Sequence, residues 1–406
     1  MKSLVKNISL IVTNRAIFVS VYLLISLLFV TFASELPLIG LINKVTIIWG
    51  VALIPYFIYR RFANRKSSIK VYEILIIAFL LLTLALNIFS YFTTENLKNW
   101  LINNIYLIVL FLPDYKTSLS RCKKQLNVIS TVFIGFSFIT SVISVGMLIT
   151  DKVYTNSVGT IYTNAFSNEN SLGLSAALAF LISLYMFFAF KNNKIIKFSM
   201  IINMIIQVIA VVLAGGRSSY IVFMALIFIY VFVKFKNIFI RLIMIGTPIG
   251  LMVIIVCKYI DKLYLLLTGR EILWDTALKL IKTVPLTGVG NSDLVPRIRE
   301  LTYEELLGID AGGLHNMYIQ VAAVNGVISC ILFIGILLSI FLFVLNKIDS
   351  LNKTKQIKVI PLFAVFVGIA LVSLMESTLL YNISFISIIF WTYSSYLCTY
   401  VHEESK

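Results

Sequence analysis

Residues 198–233 read FSMIINMIIQVIAVVLAGGRSSYIVFMALIFIYVFV, and this stretch decides the fold. Two apolar runs, 198–214 and 219–233, flank the turn Gly215-Gly216-Arg217-Ser218-Ser219, and Arg217 is the sole charged residue between the two ends. A helix rises about 1.5 Å per residue, so roughly 20 apolar residues cross a hydrocarbon core of about 30 Å. In lipid the backbone has to satisfy its own hydrogen bonds, and for apolar runs of this length that means α-helix. The stretch therefore reads as a transmembrane helical hairpin with its turn at one surface.

The same ruler, carried outward, finds about twelve spans: 16–34, 40–59, 71–90, 98–113, 126–149, 171–190, 198–214, 219–233, 240–257, 317–345, 359–375 and 383–401. The fourth and eighth are short, and the tenth is long enough to tilt or project. Composition agrees, because 60% of the 406 residues are hydrophobic and only 13% charged. A soluble surface needs roughly 25% charged residues. Disordered, collagenous and disulfide-rich classes are excluded by the same composition. The four cysteines form no metal-type pair, and Cys257 and Cys330 sit in apolar runs as small hydrophobes. The expected architecture is an all-α integral membrane protein, a single polytopic domain over residues 1–406.

The net charge of +16 raises the question of nucleic acid, and its placement answers it. With the N-terminus in the cytoplasm, 23 of the 34 basic residues fall in cytoplasmic segments: before Arg15, over Arg60, Arg61, Arg65, Lys66 and Lys70, and in the later loops ending at Lys406. The short outer loops hold chiefly Lys98, Lys152 and Arg217. Such a bias sets membrane orientation, with both termini inside and the first helix retained. Membrane lipids, and no nucleic acid, are the partners this charge implies.

Residues 258–314 break the pattern of short outer loops. This large extracytoplasmic loop, between the ninth and tenth spans, holds 8 of the 18 acidic residues, and loops so long are commonly functional. Thr268-Gly269-Arg270-Glu271 reads as a capping box opening an amphipathic helix with Leu273, Trp274, Ala277, Leu278 and Ile281 on one face, stopped near Pro285. Thr302-Tyr303-Glu304-Glu305 reads as a second helix start, closed by Gly308.

Three places offer chemistry. At the turn, Gly215 and Gly216 allow close backbone approach, Ser218 and Ser219 can cap, and Arg217 suits a diphosphate; the same Arg217 equally reads as an interfacial residue that closes a tight hairpin. His315, in Gly312-Gly313-Leu314-His315-Asn316-Met317-Tyr318, is one of two histidines, the other being His402 in the cytoplasmic tail. A neutral imidazole there can take a proton from a sugar hydroxyl, or simply end a helix. Asn168-Glu169-Asn170 opens the sixth span as a cap or a ligand contact. Asn203 and Gln207, four apart, read as interhelical hydrogen bonds, and Trp274, Tyr303 and Tyr318 as interfacial aromatics able to stack on sugars.

Taken in order, Gly215 to Ser219, Thr268-Gly269-Arg270-Glu271-Ile272-Leu273-Trp274, Pro285-Leu286-Thr287-Gly288-Val289-Gly290 and His315-Asn316 resemble the O-antigen polymerase/ligase superfamily of bacterial envelopes. The resemblance implies a GT-C-like, inverting, metal-independent glycosyltransferase without cofactor in the bacterial cytoplasmic membrane. Its donor and acceptor would be undecaprenyl-diphosphate-linked glycans, polymerised into capsular, exopolysaccharide or O-antigen chains. The family's functional residues carry over to Arg217 and Arg270 for the diphosphate and His315 for the acceptor hydroxyl. Many relatives have a second basic residue beside the first arginine; here Arg297 and Arg299 are substitutes, and Glu169, Asn170, Asn316 and Tyr318 are secondary candidates. A flippase and a chain-length regulator are the implied protein partners. An O-antigen ligase acting on lipid A core is the alternative acceptor reading, and an Ile-, Asn- and Lys-rich composition, typical of AT-rich genomes, favours the polymerase. A polysaccharide flippase or other transporter would instead show mid-membrane ionisable residues and two related halves.

Overall fold

Each expected span falls on a helix in the computed structural model, which describes residues 11–63, 68–155, 161–258, 269–302, 304, 306, 309 and 313–406. In chain order the helices are α1 (Arg15–Phe29), α2 (Pro37–Phe62), α3 (Val71–Phe89), α4 (Thr94–Asn104), α5 (Leu119–Thr150), α6 (Glu169–Ala189) and α7 (Lys194–Ala214). They continue with α8 (Arg217–Lys234), α9 (Ile238–Lys258), α10 (Arg270–Thr283), α11 (Leu294–Glu300), α12 (Met317–Ser350), α13 (Lys353–Val372) and α14 (Phe385–Glu404). The short fourth span is completed by a π-helical turn, Ile105–Phe111, that runs on from α4 and is wholly buried. Strands β1 (Tyr154–Thr155) and β2 (Ile161–Tyr162) form a small antiparallel hairpin. Among the described residues, eight helices are long and apolar enough to cross a membrane.

Burial sorts these helices. Every residue of α14 from Phe385 to Val401 is buried, as expected of a helix apolar all round, and it stands at the centre of the bundle. α13 packs against α6, α8 and α14. α7 is turned the other way: Asn203, Gln207, Ala210, Val211 and Ala214 face inward while Ile205, Val208 and Val212 are exposed. Lipid solvates apolar side chains as well as protein does, so small and polar residues take the contact face. Asn203 Nδ2 donates to Ser183 Oγ (2.7 Å), Gln207 Nε2 to Asn203 Oδ1 (3.0 Å), and Ser141 Oγ to Gln207 Oε1 (2.8 Å). The expected interhelical bonds thus tie α5, α6 and α7 together.

Ionisable groups are buried at helix ends. Arg61 at the end of α2 grips Glu73 in the first turn of α3 through two bonds of 2.6 Å. Arg241 near the start of α9 holds Asp349 near the end of α12 at 2.6 and 2.7 Å. Neither pair lies at mid-span, where a transport pathway would place it.

The long tenth span has a different explanation from simple tilt. α12 is broken at Gly326, whose φ of 81° leaves the helical region. Pro285 to Gly290 fills the break: Val289 N–H donates to the Ala323 carbonyl (3.0 Å), Gly290 N–H to that of Val324 (2.9 Å), and Val327 N–H to that of Pro285 (2.8 Å). Backbone groups freed at membrane depth are thereby satisfied. A Cβ on Gly326 would collide with the Leu286 carbonyl.

The outer loop departs from expectation in three places. The expected capping box falls on Thr268, which lies outside the described residues, and α10 starts from Gly269 at φ 83°, which offers no side-chain cap. The buried face of α10 is Leu273, Thr276, Ala277 and Leu280, while Leu278 is 48% exposed. The α-helical spacing of 273, 277 and 280 explains the choice, since Leu278 falls on the far side. α11 is an additional helix, and Tyr303, Glu305, Gly308, Asp310 and Gly312, like Lys2, Lys6, Arg65 and Lys66, lie outside the described residues.

Candidate active site

The start of α12 is laced to the end of α13. Met317 N–H donates to the Ser373 carbonyl (2.9 Å), the Tyr318 hydroxyl to the Ala370 carbonyl (2.8 Å) and Asn316 N–H to Ser377 Oγ (2.9 Å). Asn316 Oδ1 caps the helix by accepting from the amides of Tyr318 and Ile319, both at 3.1 Å. Asn316 and Tyr318 therefore hold the site's frame. The result of this lacing is that Glu376 is brought beside His315.

His315 itself adopts φ 47°, the left-handed region that an L side chain rarely occupies. Its neighbours impose it. Leu314 is buried, its N–H donates to Gln320 Oε1 (3.2 Å), and its carbonyl accepts from Trp274 Nε1 (2.9 Å). Backbone strain of this kind is sustained where surrounding contacts over-determine the position. Trp274 is thus a brace between α10 and the histidine's loop.

Three ionisable side chains converge here. His315 Nδ1 lies 3.5 Å from Glu376 Oε2, and Arg270 Nη2 lies 3.5 Å from Glu376 Oε1. Arg270 Nη1 also donates to the Met375 carbonyl (2.8 Å). The side chains of Arg270, His315 and Glu376 are 19%, 17% and 15% exposed, so they are sheltered but open to one side. Nδ1 is thus the ring nitrogen that faces the carboxylate.

That open side is a cavity of about 310 Å³. Its lining combines polar Asn168, Asn170, Ser171, Ser377, Thr378, Asn382 and Ser384 with apolar Val30, Leu174, Phe385 and Ile386. The N-terminus of α6 opens onto it, with Asn168 Oδ1 capping the Ser171 amide at 2.8 Å as its sequence suggested. Free amides there supply partial positive charge.

Arg217 stands at the edge, as the exposed first residue of α8 outside the cavity lining. Its turn is pressed against α6: a Cβ on Gly216 would sit 3.3 Å from the Asn170 Cα and from the Glu169 carbonyl. The serines do not cap α8 as expected. Ser219 Oγ donates to the Gly216 carbonyl (2.5 Å), and Ser218 Oγ is buried without a partner among the described residues. Glu169 is exposed in the first turn of α6. Arg297 is exposed and pairs with Glu300 (3.2 Å), and Arg299 is also exposed; neither lines the cavity.

Glu376 was not singled out from the sequence. One signal pointed to it: it is the only acidic residue between Asp349 and Glu403. Its loop is braced by Tyr381, whose amide donates to Asn103 Oδ1 (2.8 Å) and whose hydroxyl donates to Asn325 Oδ1 (2.5 Å). Asn325 Nδ2 donates in turn to the Tyr91 hydroxyl (2.6 Å). Burial pushes the Tyr91 phenol up to about 12 and that of Tyr381 well up, so both stay protonated.

Residues 202–334 match the O-antigen ligase family model. The matched segment includes Arg217, Arg270 and His315 and supports the O-antigen polymerase/ligase superfamily that the sequence resembles. With eight membrane-length helices, it supports a multi-pass membrane protein of polysaccharide biosynthesis. Glu376 lies beyond the matched residues. No curated protein matches the chain.

Proposed function

We propose that the chain is a GT-C-type membrane glycosyltransferase that polymerises undecaprenyl-diphosphate-linked repeat units on the outer face of the cytoplasmic membrane. The observation that carries this reading is the meeting of Arg270, His315 and Glu376 beside a cavity lined by both polar and apolar side chains. A polyprenyl diphosphate is itself amphipathic in this sense. Its diphosphate suits Arg270, the α6 amides and Arg217 at the rim, and its chain suits Val30, Leu174, Phe385 and Ile386.

In the step itself, the acceptor hydroxyl oxygen attacks the anomeric carbon as the bond to the diphosphate oxygen breaks. His315 takes the hydroxyl proton, and Glu376, which faces Nδ1, stabilises the resulting imidazolium. Arg270 and Arg217 stabilise the negative charge that develops on the leaving diphosphate. Attack opposite the leaving group inverts the anomeric configuration, and none of these roles calls for a metal.

Purified protein given a synthetic lipid-linked repeat tests the reading. A ladder of longer lipid-linked products, lost in Arg270→Lys and Arg217→Lys, is expected, because lysine keeps the charge but loses the planar fork. Arg297→Lys and Arg299→Lys should polymerise nearly normally. Analysis of a deletion strain separates the acceptors: single lipid-linked repeats are expected, whereas accumulated free polymer marks a ligase.

A further inference from the structure

The opposite end of the bundle carries a second, much smaller cavity. α1 runs from Arg15 in this cavity to Val30 in the candidate active site, and α14 runs from Phe385 in that site to Thr399 here. At 1.5 Å per residue the two are separated by roughly 20 Å. The Lys and Arg distribution assigns this end to the cytoplasm.

Three arginines, Arg15, Arg60 and Arg121, line the cavity with one carboxylate, Asp114. That carboxylate is already engaged, by Arg60 Nη2 at 2.5 Å and by the Thr117 hydroxyl at 2.7 Å. Arg15 is only 8% exposed. Its Nη1 donates to Ser395 Oγ (3.0 Å), its Nη2 to the Leu112 carbonyl (2.7 Å), and its guanidinium stacks 4.5 Å over the Phe57 ring. Its Nε is buried with no hydrogen-bond partner among the described residues. No carboxylate among them lies within ion-pair distance of Arg15 or Arg121. A buried cation left uncompensated is costly, so this excess calls for an anion.

The rest of the wall is rich in donors. Asn14 spends its Oδ1 on capping α1, accepting from Ala16 N–H (3.0 Å), and Gln125 spends its Oε1 on the Tyr396 hydroxyl (3.3 Å). Each keeps its amide NH₂ as a donor. The N-termini of α1 and α5 both reach the cavity through Asn14, Arg15, Arg121 and Cys122 and add partial positive charge.

We propose that this cavity binds a phosphate-type anion, whether inorganic phosphate or the phosphodiester of an anionic phospholipid headgroup. Arginine forks and amide donors around a tetrahedral oxyanion are the chemistry that selects it. This proposal is independent of the glycosyltransferase reading.

The test uses the full chain, in mild detergent with inorganic phosphate and, separately, extracted with phosphatidylglycerol and examined by native mass spectrometry. A saturable rise in melting temperature with phosphate, beyond that with chloride at equal ionic strength, identifies the free anion. Retained phosphatidylglycerol identifies the lipid. Either response should weaken at least tenfold in Arg121→Gln, whose exposed side chain can be changed without opening the core, and strengthen in Asp114→Asn. Lys353→Gln, outside the cavity, should leave it unchanged. Absence of both responses, wild-type binding in Arg121→Gln, or equal loss in Lys353→Gln overturns the proposal.

Discussion

Glu376→Gln is the sharpest test of the active-site geometry, because it keeps the shape of the side chain and removes only its charge. The carboxylate stands 3.5 Å from both His315 Nδ1 and Arg270 Nη2. At that distance and an effective dielectric of about 20, a unit charge pair is worth about 5 kcal/mol before desolvation. Partial exposure and desolvation reduce this to about 1.5–3 kcal/mol, the range of an interaction with a charged group. At about 1.4 kcal/mol per factor of ten, loss of imidazolium stabilisation should lower kcat about 10- to 100-fold. Arg270 keeps its 2.8 Å bond to the Met375 carbonyl, so the donor KM should move far less than kcat. Glu376→Asp should recover part of the rate. The assay is single-turnover extension of a synthetic lipid-linked repeat by protein in nanodiscs, with elution profile and melting temperature compared to wild type. A kcat within twofold of wild type, or a loss confined to the donor KM, would refute Glu376 as the group that orients and charges His315.

Gly326→Ala should lower the melting temperature measurably, by about 1–3 kcal/mol of stability or more, since φ is 81° and the new Cβ meets the Leu286 carbonyl; a neutral substitution would mean that the Pro285 to Gly290 segment does not fill the α12 break. Asp114 gives a pH signature. Burial pushes its carboxyl up, but the Thr117 hydroxyl and the Arg60 charge outweigh this and hold it below the usual range. Its contribution to stability is therefore full above about pH 4, the unfolded value, and is lost as pH falls through the depressed folded value. The melting-temperature gap between wild type and Asp114→Asn should accordingly close on acidification below about pH 4 and stay constant above pH 5. In a cysteine-free background, impermeant thiol reagents added to intact cells should label cysteines placed at the exposed positions 293, 297 and 299 and fail at 68–70 and 346–352; labelling at 68–70 would invert the orientation.

The helices were legible because their signal is local and strong. A run such as 198–214 has one stable state in lipid whatever surrounds it, so existence and type followed from hydropathy, and the Asn203 and Gln207 bonds from the cost of unpaired amides. Arg217, Arg270 and His315 stood out as rare charges at loop boundaries. What the one-dimensional pattern could not carry was distance. Glu376 lies 61 residues from His315 and 106 from Arg270, and only the lacing of the α12 start to the α13 end brings it within 3.5 Å of both. The role of Pro285 to Gly290 was hidden for the same reason: its partners are the backbone groups of Ala323, Val324 and Val327, which open only because Gly326 breaks α12. Sequence alone determined which segments form long apolar helices, since hydropathy sums along the chain. Tertiary structure decided which loops touch and which of the charged residues share one carboxylate, since those contacts depend on helix packing that no neighbouring residue encodes.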